Sequence, residues 1–196
     1  QSGSLFAAER ALDRDYFARL IEIARRLPRP DREPALSFIA LEADRENVSW
    51  IIRALNYYGM EEGEALSGLL PGGSSFDARK LREAIRSGRP TSVLLEELGH
   101  AGAGGAGAGD RGAAAGGGAG SGGREGDREA RELELIEAAL DEETDRLVHR
   151  QLGSYPFTMG VVLAYYVLTQ RELRRIAAVL NGLAYGLSAD ATGAAL

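Results

Sequence analysis

The chain has 196 residues, and its 23 basic and 29 acidic side chains give a formal net charge of −6. A protein that coats nucleic acid needs a positive field, so this charge argues against general nucleic-acid binding. The absence of cysteine excludes disulfides, thiolate metal sites and cysteine nucleophiles. The length is sufficient for one domain, or two small ones, with a hydrophobic core.

The amino-terminal half of the sequence predicts helices and no strands. The first predicted helix covers residues 5–27 and ends before Pro28 and Pro30. The second begins at Pro34, which suits a first helical turn, and ends at Gly59. Its apolar stripe has the 3.6-residue spacing of a buried helix face and consists of Leu41, Val48, Ile52 and Leu55.

A turn and two short helices are predicted next. The sequence Leu-Leu-Pro-Gly-Gly at 69–73 is typical of a turn. Ser74 and Ser75 follow it as predicted caps of a helix that ends at Arg86. Another short helix is predicted over 91–98.

A glycine- and alanine-rich stretch interrupts the helical pattern. Of the 26 residues at 101–126, 21 are glycine or alanine, so the stretch has little apolar surface to bury and much backbone entropy to lose. We therefore predict a flexible, disordered linker over 99–127. It separates a first helical domain, residues 1–98, from a second, residues 128–196.

Two long helices are predicted after the linker, over 128–151 and 157–185. The uncharged segment 151–170 is strongly apolar only over 157–168, which is typical of a buried core helix, because a bilayer span needs about 20 apolar residues. The last helix carries an apolar stripe that we expect to be buried, with Leu180 in the core. The stripe consists of Leu173, Ile176, Leu180, Leu183 and Leu187.

The two halves of the sequence align with each other at an offset of 128 residues. Helix lengths, a proline break and the apolar stripe coincide in this alignment. The corresponding pairs include Pro28 with Pro156, Val48 with Ile176, Ile52 with Leu180, Leu55 with Leu183 and Tyr57 with Tyr185. We interpret the chain as two copies of a long helical hairpin.

One acidic cluster suggests metal chemistry. Asp141 and Asp145 are four residues apart, so on a helix they share a face, as oxygen ligands of Mg²⁺ do. An all-helical, Mg²⁺-dependent diphosphate enzyme is therefore an alternative function, but such enzymes need a second metal motif that the sequence lacks. The other interpretation is an acidic, solvent-facing helix. His100 and His149 have no partner at metal-ligand spacing, and we expect both to face solvent.

A basic patch is the remaining charged feature. Arg171, Arg174 and Arg175 lie beside Tyr165 and Tyr166, and they suit either an acidic partner or phosphate, or a solvated helix face. The sequence shows no nucleophile elbow, phosphate-binding loop or acid–base pair. We predict no cofactor, no metal and no small-molecule substrate.

The strongest motif set contains Glu-x-Asp-x-x-Asn, an Arg six residues later, a Gly, and a Leu-Pro-Gly-Gly turn. These residues are Glu42, Asp44, Asn47, Arg53, Gly59, Pro71, Gly72 and Gly73. With 11–17 and 155–160, they make the chain similar to the C-subunit family of V-type and archaeal-type rotary ATPases, whose eukaryotic members are called d subunits. At the equivalent positions the second copy departs from the motif, with Gln170, Arg175 and Asn181.

The resemblance implies an all-α, funnel-like fold of three related domains, of which this chain supplies two. It also implies a non-catalytic central-stalk subunit on the cytoplasmic side, peripheral to the membrane. Its partners would be the rotor-shaft subunits of the ATP-hydrolysing head and the membrane proteolipid ring, and it would couple them for ion transport. A stand-alone helical adaptor is a further alternative.

Overall fold

A computed structural model of the chain describes residues 2–76, 78–103 and 123–186. These residues form helices and turns without a strand, so the all-α prediction is confirmed. The helices are α1 (Ser2–Arg26), α2 (Arg29–Ile52), α3 (Glu62–Ser67), α4 (Ala78–Arg86), α5 (Pro90–Ala103), α6 (Gly123–Leu152) and α7 (Met159–Ala184).

Helices α1 and α2 pack against each other as an antiparallel hairpin. The prediction that α2 begins at Pro34 was wrong, because it begins five residues earlier, at Arg29. Pro30 lies in the first turn, where a missing backbone N–H leaves no helical bond unmade. Pro34 lies inside the helix, and its ring removes only the bond to the carbonyl of residue 30.

The carboxyl end of α2 widens into a π-helical turn at Arg53–Tyr57, and the chain then turns at Gly59. Gly59 has a φ of +56°, the left-handed conformation of a helix stop, as the sequence predicted. The short helix α3 was not predicted. A long-range contact fixes it, because the Trp50 Nε1–H of α2 donates a 2.8 Å hydrogen bond to the Ala65 carbonyl.

The largest hydrophobic core lies among α2, α4, α5 and the first half of α6. Its side chains come from both sides of the glycine-rich stretch, and they include Ile51, Phe76, Leu94, Ile136 and Leu140. Residues 104–122 lie outside the described residues, whereas α5 extends to Ala103 and α6 begins at Gly123, so both ends of the predicted 99–127 linker are helical. The division into domains 1–98 and 128–196 remains a prediction.

Helices α6 and α7 form the second long hairpin. A smaller core joins it to α2 and consists of Phe38, Leu147, Val148 and Ala164. Gly160 allows a close approach at the start of α7, because a Cβ there would overlap the Gln151 side chain and lie 3.0 Å from Pro34 Cβ. No helix in the described part of the chain has the length and apolar character to cross a bilayer.

The apolar stripe of the last helix is exposed, so the prediction that it packs in the core was wrong. Leu180 is 59% exposed and Leu183 is 72% exposed, whereas the equivalent Ile52 of α2 is only 7% exposed. Only the first half of α7 contributes side chains to the core with α2 and α6. The first half of α6 turns Ile136 and Leu140 toward α2 and α5 instead, so no described helix covers the stripe. Leu187 lies outside the described residues.

Candidate functional site: a latch and a groove on α2

The Asp44 side chain joins α2 to the segment that follows the Leu-Pro-Gly-Gly turn. Its Oδ2 accepts hydrogen bonds from the backbone N–H of Ser74 at 2.9 Å and of Ser75 at 2.7 Å, and from the Ser74 hydroxyl at 3.1 Å. Its Oδ1 accepts a bond from the backbone N–H of Phe76 at 3.3 Å. Ser74 and Ser75 therefore bind Asp44, and the prediction that they cap α4 was wrong, since α4 begins at Ala78.

Burial of the Asp44 carboxyl group raises its pKa, because the charged form loses its hydration. The hydrogen bonds from Ser75, Ser74 and Phe76 oppose this shift by favouring the carboxylate. The residue is completely buried, and every donor that it binds belongs to one short segment. Asp44 is therefore an internal anchor for that segment.

Asn47, one helical turn further along, makes a second link to the same segment. Its Nδ2 donates to the Leu70 carbonyl at 3.0 Å, and its Oδ1 accepts from the Leu70 N–H at 2.7 Å. The side-chain amide thus pairs with Leu70 as a backbone strand would. We call Asp44, Asn47 and the bound segment 70–76 the latch.

The two glycines of the turn allow the latch to close. Gly72 has a φ of +93°, and a Cβ there would lie 2.5 Å from Ile21 Cδ1 of α1. A Cβ on Gly73 would overlap Asp44 Oδ1 and would lie 3.0 Å from the Phe76 carbonyl oxygen. One glycine is required by its conformation and its neighbour by the close approach of the carboxylate.

Of the four remaining motif residues, only Pro71 belongs to the latch. Glu42 is exposed, and Arg53 is exposed with its Nε–H bound to the Ser49 carbonyl at 3.2 Å. Gly59 ends the π-helical turn, and Pro71 lies exposed within the latch segment. The structure therefore brings together Asp44, Asn47, Pro71, Gly72 and Gly73, but not Glu42, Arg53 or Gly59.

Arg10 of α1 supports the same region and was missed by the sequence interpretation. It is 8% exposed, it donates two hydrogen bonds to the Gly68 carbonyl at 2.6 and 3.1 Å, and its guanidinium lies 4.6 Å from the Trp50 ring centroid. Burial lowers the pKa of Arg10, and the nearby Asp13 carboxylate opposes this shift. The sequence did offer a signal that Arg10 is buried, because it precedes Phe17 by seven residues and therefore lies on the same face of α1 as that buried ring.

A groove of about 980 Å³ runs between α1, α2 and the α6–α7 hairpin. Phe17, Phe38 and Leu163 provide apolar surface, and Glu42 and Arg45 provide charge. A long groove with an apolar base and charged edges suits a helical segment of another protein.

The predicted metal ligands lie on one wall of this groove as ion pairs. Arg45 Nη2 of α2 lies 2.6 Å from Asp141 Oδ1, and Arg171 Nη2 of α7 lies 3.2 Å from the same oxygen. Arg171 also pairs with Asp145. The two carboxylates thus join three helices, and the described residues hold no group of three metal-ligating side chains.

Of the two histidines, the structure describes the side chain of His149 only. The exposed His149 ring has its Nδ1 2.8 Å from the Asp145 carbonyl oxygen. The His100 side chain lies outside the described residues. Arg174 and Arg175, the rest of the predicted basic patch, are exposed beside the groove.

Comparison with known proteins then identifies the family. The sequence model of the ATP synthase (C/AC39) subunit family matches residues 1–194. The chain belongs to this family. A search of curated proteins found no match, and a search of solved structures also found none.

Family membership confirms the resemblance to the C and d subunits of rotary ATPases. The C/AC39 subunit is a structural, rather than a catalytic, part of V-type and A-type ATPases. Other subunits of such an ATPase are therefore the partners of this family member.

Proposed function

We propose that the chain is a non-catalytic central-stalk subunit that couples the rotor shaft of an ATP-hydrolysing head to the membrane proteolipid ring. In this role it lies on the cytoplasmic side, peripheral to the membrane, and passes torque between proteins. The match of the C/AC39 family over nearly the whole chain is the observation that carries this proposal.

The latch supports a mechanical role. Its charged and polar side chains bind backbone groups of the same chain, and no polar side-chain atom buried in the described residues lacks a hydrogen-bond partner. A side chain that is used in this way stiffens the protein and has no free group to offer a substrate. We infer that the latch keeps one wall of the groove rigid under load.

Two surfaces are available for protein partners. One is the groove, which we propose accepts the shaft. The other is the exposed stripe on α7, whose described members are Leu173, Ile176, Leu180 and Leu183. These four residues follow each other at spacings of three and four, the pattern of a coiled-coil seam. We propose that a helix of another ATPase subunit covers this stripe.

The test is affinity purification of the tagged chain from its host, followed by identification of the co-purified proteins. We expect shaft and proteolipid-ring subunits with the wild-type chain, and a large loss of at least one of them with Leu180→Ser/Leu183→Ser. Leu12→Ser is the matched control, because Leu12 is 70% exposed on a different helix, α1.

Each result bears on the proposal. Because all three leucines are exposed, the variants should keep the wild-type melting temperature, so a loss of partners would reflect a lost contact. Purification of the wild-type chain without any ATPase subunit would refute the stalk role and favour the stand-alone adaptor. Equal recovery with the double variant and the control would refute the stripe as a partner surface.

A further inference from the structure

The turn between α6 and α7 presents aromatic side chains to solvent. We call residues 152–159 the aromatic tip. Phe157 is 85% exposed, Tyr155 is 69% exposed, and their ring centroids are 5.6 Å apart. Leu152 and Met159 beside them are 45% and 41% exposed. The tip therefore presents apolar surface to solvent, and Met159 at its end also lines the groove.

The tip is held firmly against the start of α2. Asp31 Oδ1 accepts a 2.7 Å hydrogen bond from the N–H of Met159, the first residue of α7. Within the turn, the Gly153 N–H donates to the His149 carbonyl at 3.0 Å and the Ser154 N–H to the Gln151 carbonyl at 3.1 Å. These bonds fix the backbone of the turn, and the exposures show that both aromatic rings point outward from it.

The same end of the bundle is positively charged in an acidic protein. The Asp31–Met159 bond brings the α1–α2 turn next to the tip. The stretches 22–33 and 147–159 together have a net charge of +2, while the whole chain has −6. Their charged residues are Arg25, Arg26, Arg29, Arg32 and Arg150, with Glu22, Asp31 and Glu33. Within the tip itself there is no charged residue.

Aromatic side chains with an uncharged surround, bordered by arginines, have the chemistry of a membrane-interface contact. Tyrosine favours the headgroup level of a bilayer, where its ring is buried and its hydroxyl group is hydrated, and phenylalanine adds apolar surface beside it. Basic residues beside such a surface are attracted to anionic lipids.

We propose that the aromatic tip inserts into the interfacial region of an anionic lipid bilayer, with the neighbouring arginines on the lipid headgroups. The stalk role needs protein contacts only, so this direct lipid contact goes beyond it. Phe157 and Tyr155 are the inserted side chains, and Arg25, Arg29 and Arg150 are exposed arginines of the neighbouring stretches.

The test is flotation of the purified full chain with vesicles of phosphatidylcholine alone or mixed with phosphatidylglycerol. We expect binding to the mixed vesicles that weakens as salt is raised, because salt screens the arginines. Tyr155→Ser/Phe157→Ser should weaken it about tenfold or more, from the apolar area no longer buried. Tyr185→Ser is the matched control, since Tyr185 is 81% exposed at the other end of α7 and should leave binding unchanged.

The outcomes separate this proposal from the stalk role. Vesicle binding that is absent, equal on both lipids, or equally weakened in Tyr185→Ser would overturn it. If binding is absent while ATPase subunits still co-purify with the wild-type chain, only the lipid proposal fails. If the tip variant loses those subunits instead, the tip is a protein contact and the lipid proposal is wrong. Circular dichroism melts should show equal melting temperatures for all three proteins.

Discussion

Replacing Asp44 with alanine removes the one carboxylate that the latch segment shares. Four donors then lose their acceptor, namely three backbone N–H groups and the Ser74 hydroxyl. The hydroxyl can rotate toward water, and the N–H groups of Ser74 and Ser75 are only partly buried. The Phe76 N–H is buried and would remain without a partner.

The size of the effect follows from these differences in burial. A buried, unsatisfied donor costs about 1–3 kcal/mol, and donors that water can reach cost less. Burying the Asp44 carboxylate costs free energy, as its raised pKa indicates. The alanine variant does not bear this cost, so part of the lost stability is regained. We therefore expect Asp44→Ala to lower the free energy of unfolding by about 2–4 kcal/mol. Asp44→Asn should cost about 1–2 kcal/mol, since its oxygen can replace Oδ2 while its NH₂ group faces the Phe76 N–H.

The assay is urea unfolding at neutral pH, followed by circular dichroism. Glu42→Gln is the matched control, because Glu42 lies on the same helix and is exposed. It should change the free energy of unfolding by less than about 0.5 kcal/mol. If Asp44→Ala were as stable as this control, the latch would not anchor the segment 70–76, and our account of the motif would be refuted.

Three further predictions concern the core, the turn and the α5–α6 contact. Ile52→Ala should lower the free energy of unfolding by about 2–5 kcal/mol in thermal or urea unfolding. Leu180→Ala should lower it by less than about 1 kcal/mol, and equal losses in the two variants would show that the α7 stripe is buried. Gly73→Ala should destabilise the protein by about 1–3 kcal/mol, because the new Cβ would overlap Asp44. Gly63→Ala is the control and should be neutral or stabilising, because a Cβ there meets no atom within 4 Å. Equal melting temperatures of the two variants would refute the overlap as the cause. Burial raises the pKa of Glu132, but hydrogen bonds from Thr91, Arg128 and Ser92 outweigh it and lower the pKa below its ordinary 4.5. The ionised Glu132 therefore stabilises the folded chain above that pH, and this stabilisation is lost as the pH falls through the lowered pKa. The stability difference between wild type and Glu132→Gln should therefore be largest at neutral pH and shrink in acid, and a difference that grew in acid would contradict the shift.

The helices could be predicted because their signals are local. The 3.6-residue spacing of apolar residues identifies α2 and α7, and Gly59 predicts where the second helix stops. Proline was less informative at the start of α2. Pro34 suits a first helical turn, but a helix can also contain it, and then only the hydrogen bond of its missing N–H group is lost.

The sequence motif identified the residues of the latch, but it could not predict the contacts that they make. Asp44 is separated by 30 to 32 residues from the groups that it binds, and no local rule relates them. The serines after the turn favour a helix cap in isolation, but in the structure both donate to the buried Asp44 carboxylate, and the helix begins only at Ala78. The spacing of Asp141 and Asp145 likewise predicted that they share one helix face, but it could not predict that arginines of two other helices pair with them.

Burial of an apolar stripe could not be predicted from the stripe itself. Ile52 and Leu180 occupy equivalent positions of the two sequence copies, but the first is buried and the second is exposed. Periodicity shows which face of a helix is apolar, whereas the position of the neighbouring helices determines whether that face is covered. The first half of α6 packs on α5, so it is not available to α7.

Site-specific photo-crosslinking in the assembled complex tests the central proposal most directly. A photoreactive amino acid at exposed Glu42, on the edge of the groove, should crosslink to a rotor-shaft subunit of the ATPase. The same amino acid at exposed Arg89, which is not among the groove residues, serves as the control and should not. Crosslinks from Glu42 only to proteins outside the ATPase, or shaft crosslinks of equal yield from both positions, would contradict the proposal that the groove accepts the shaft.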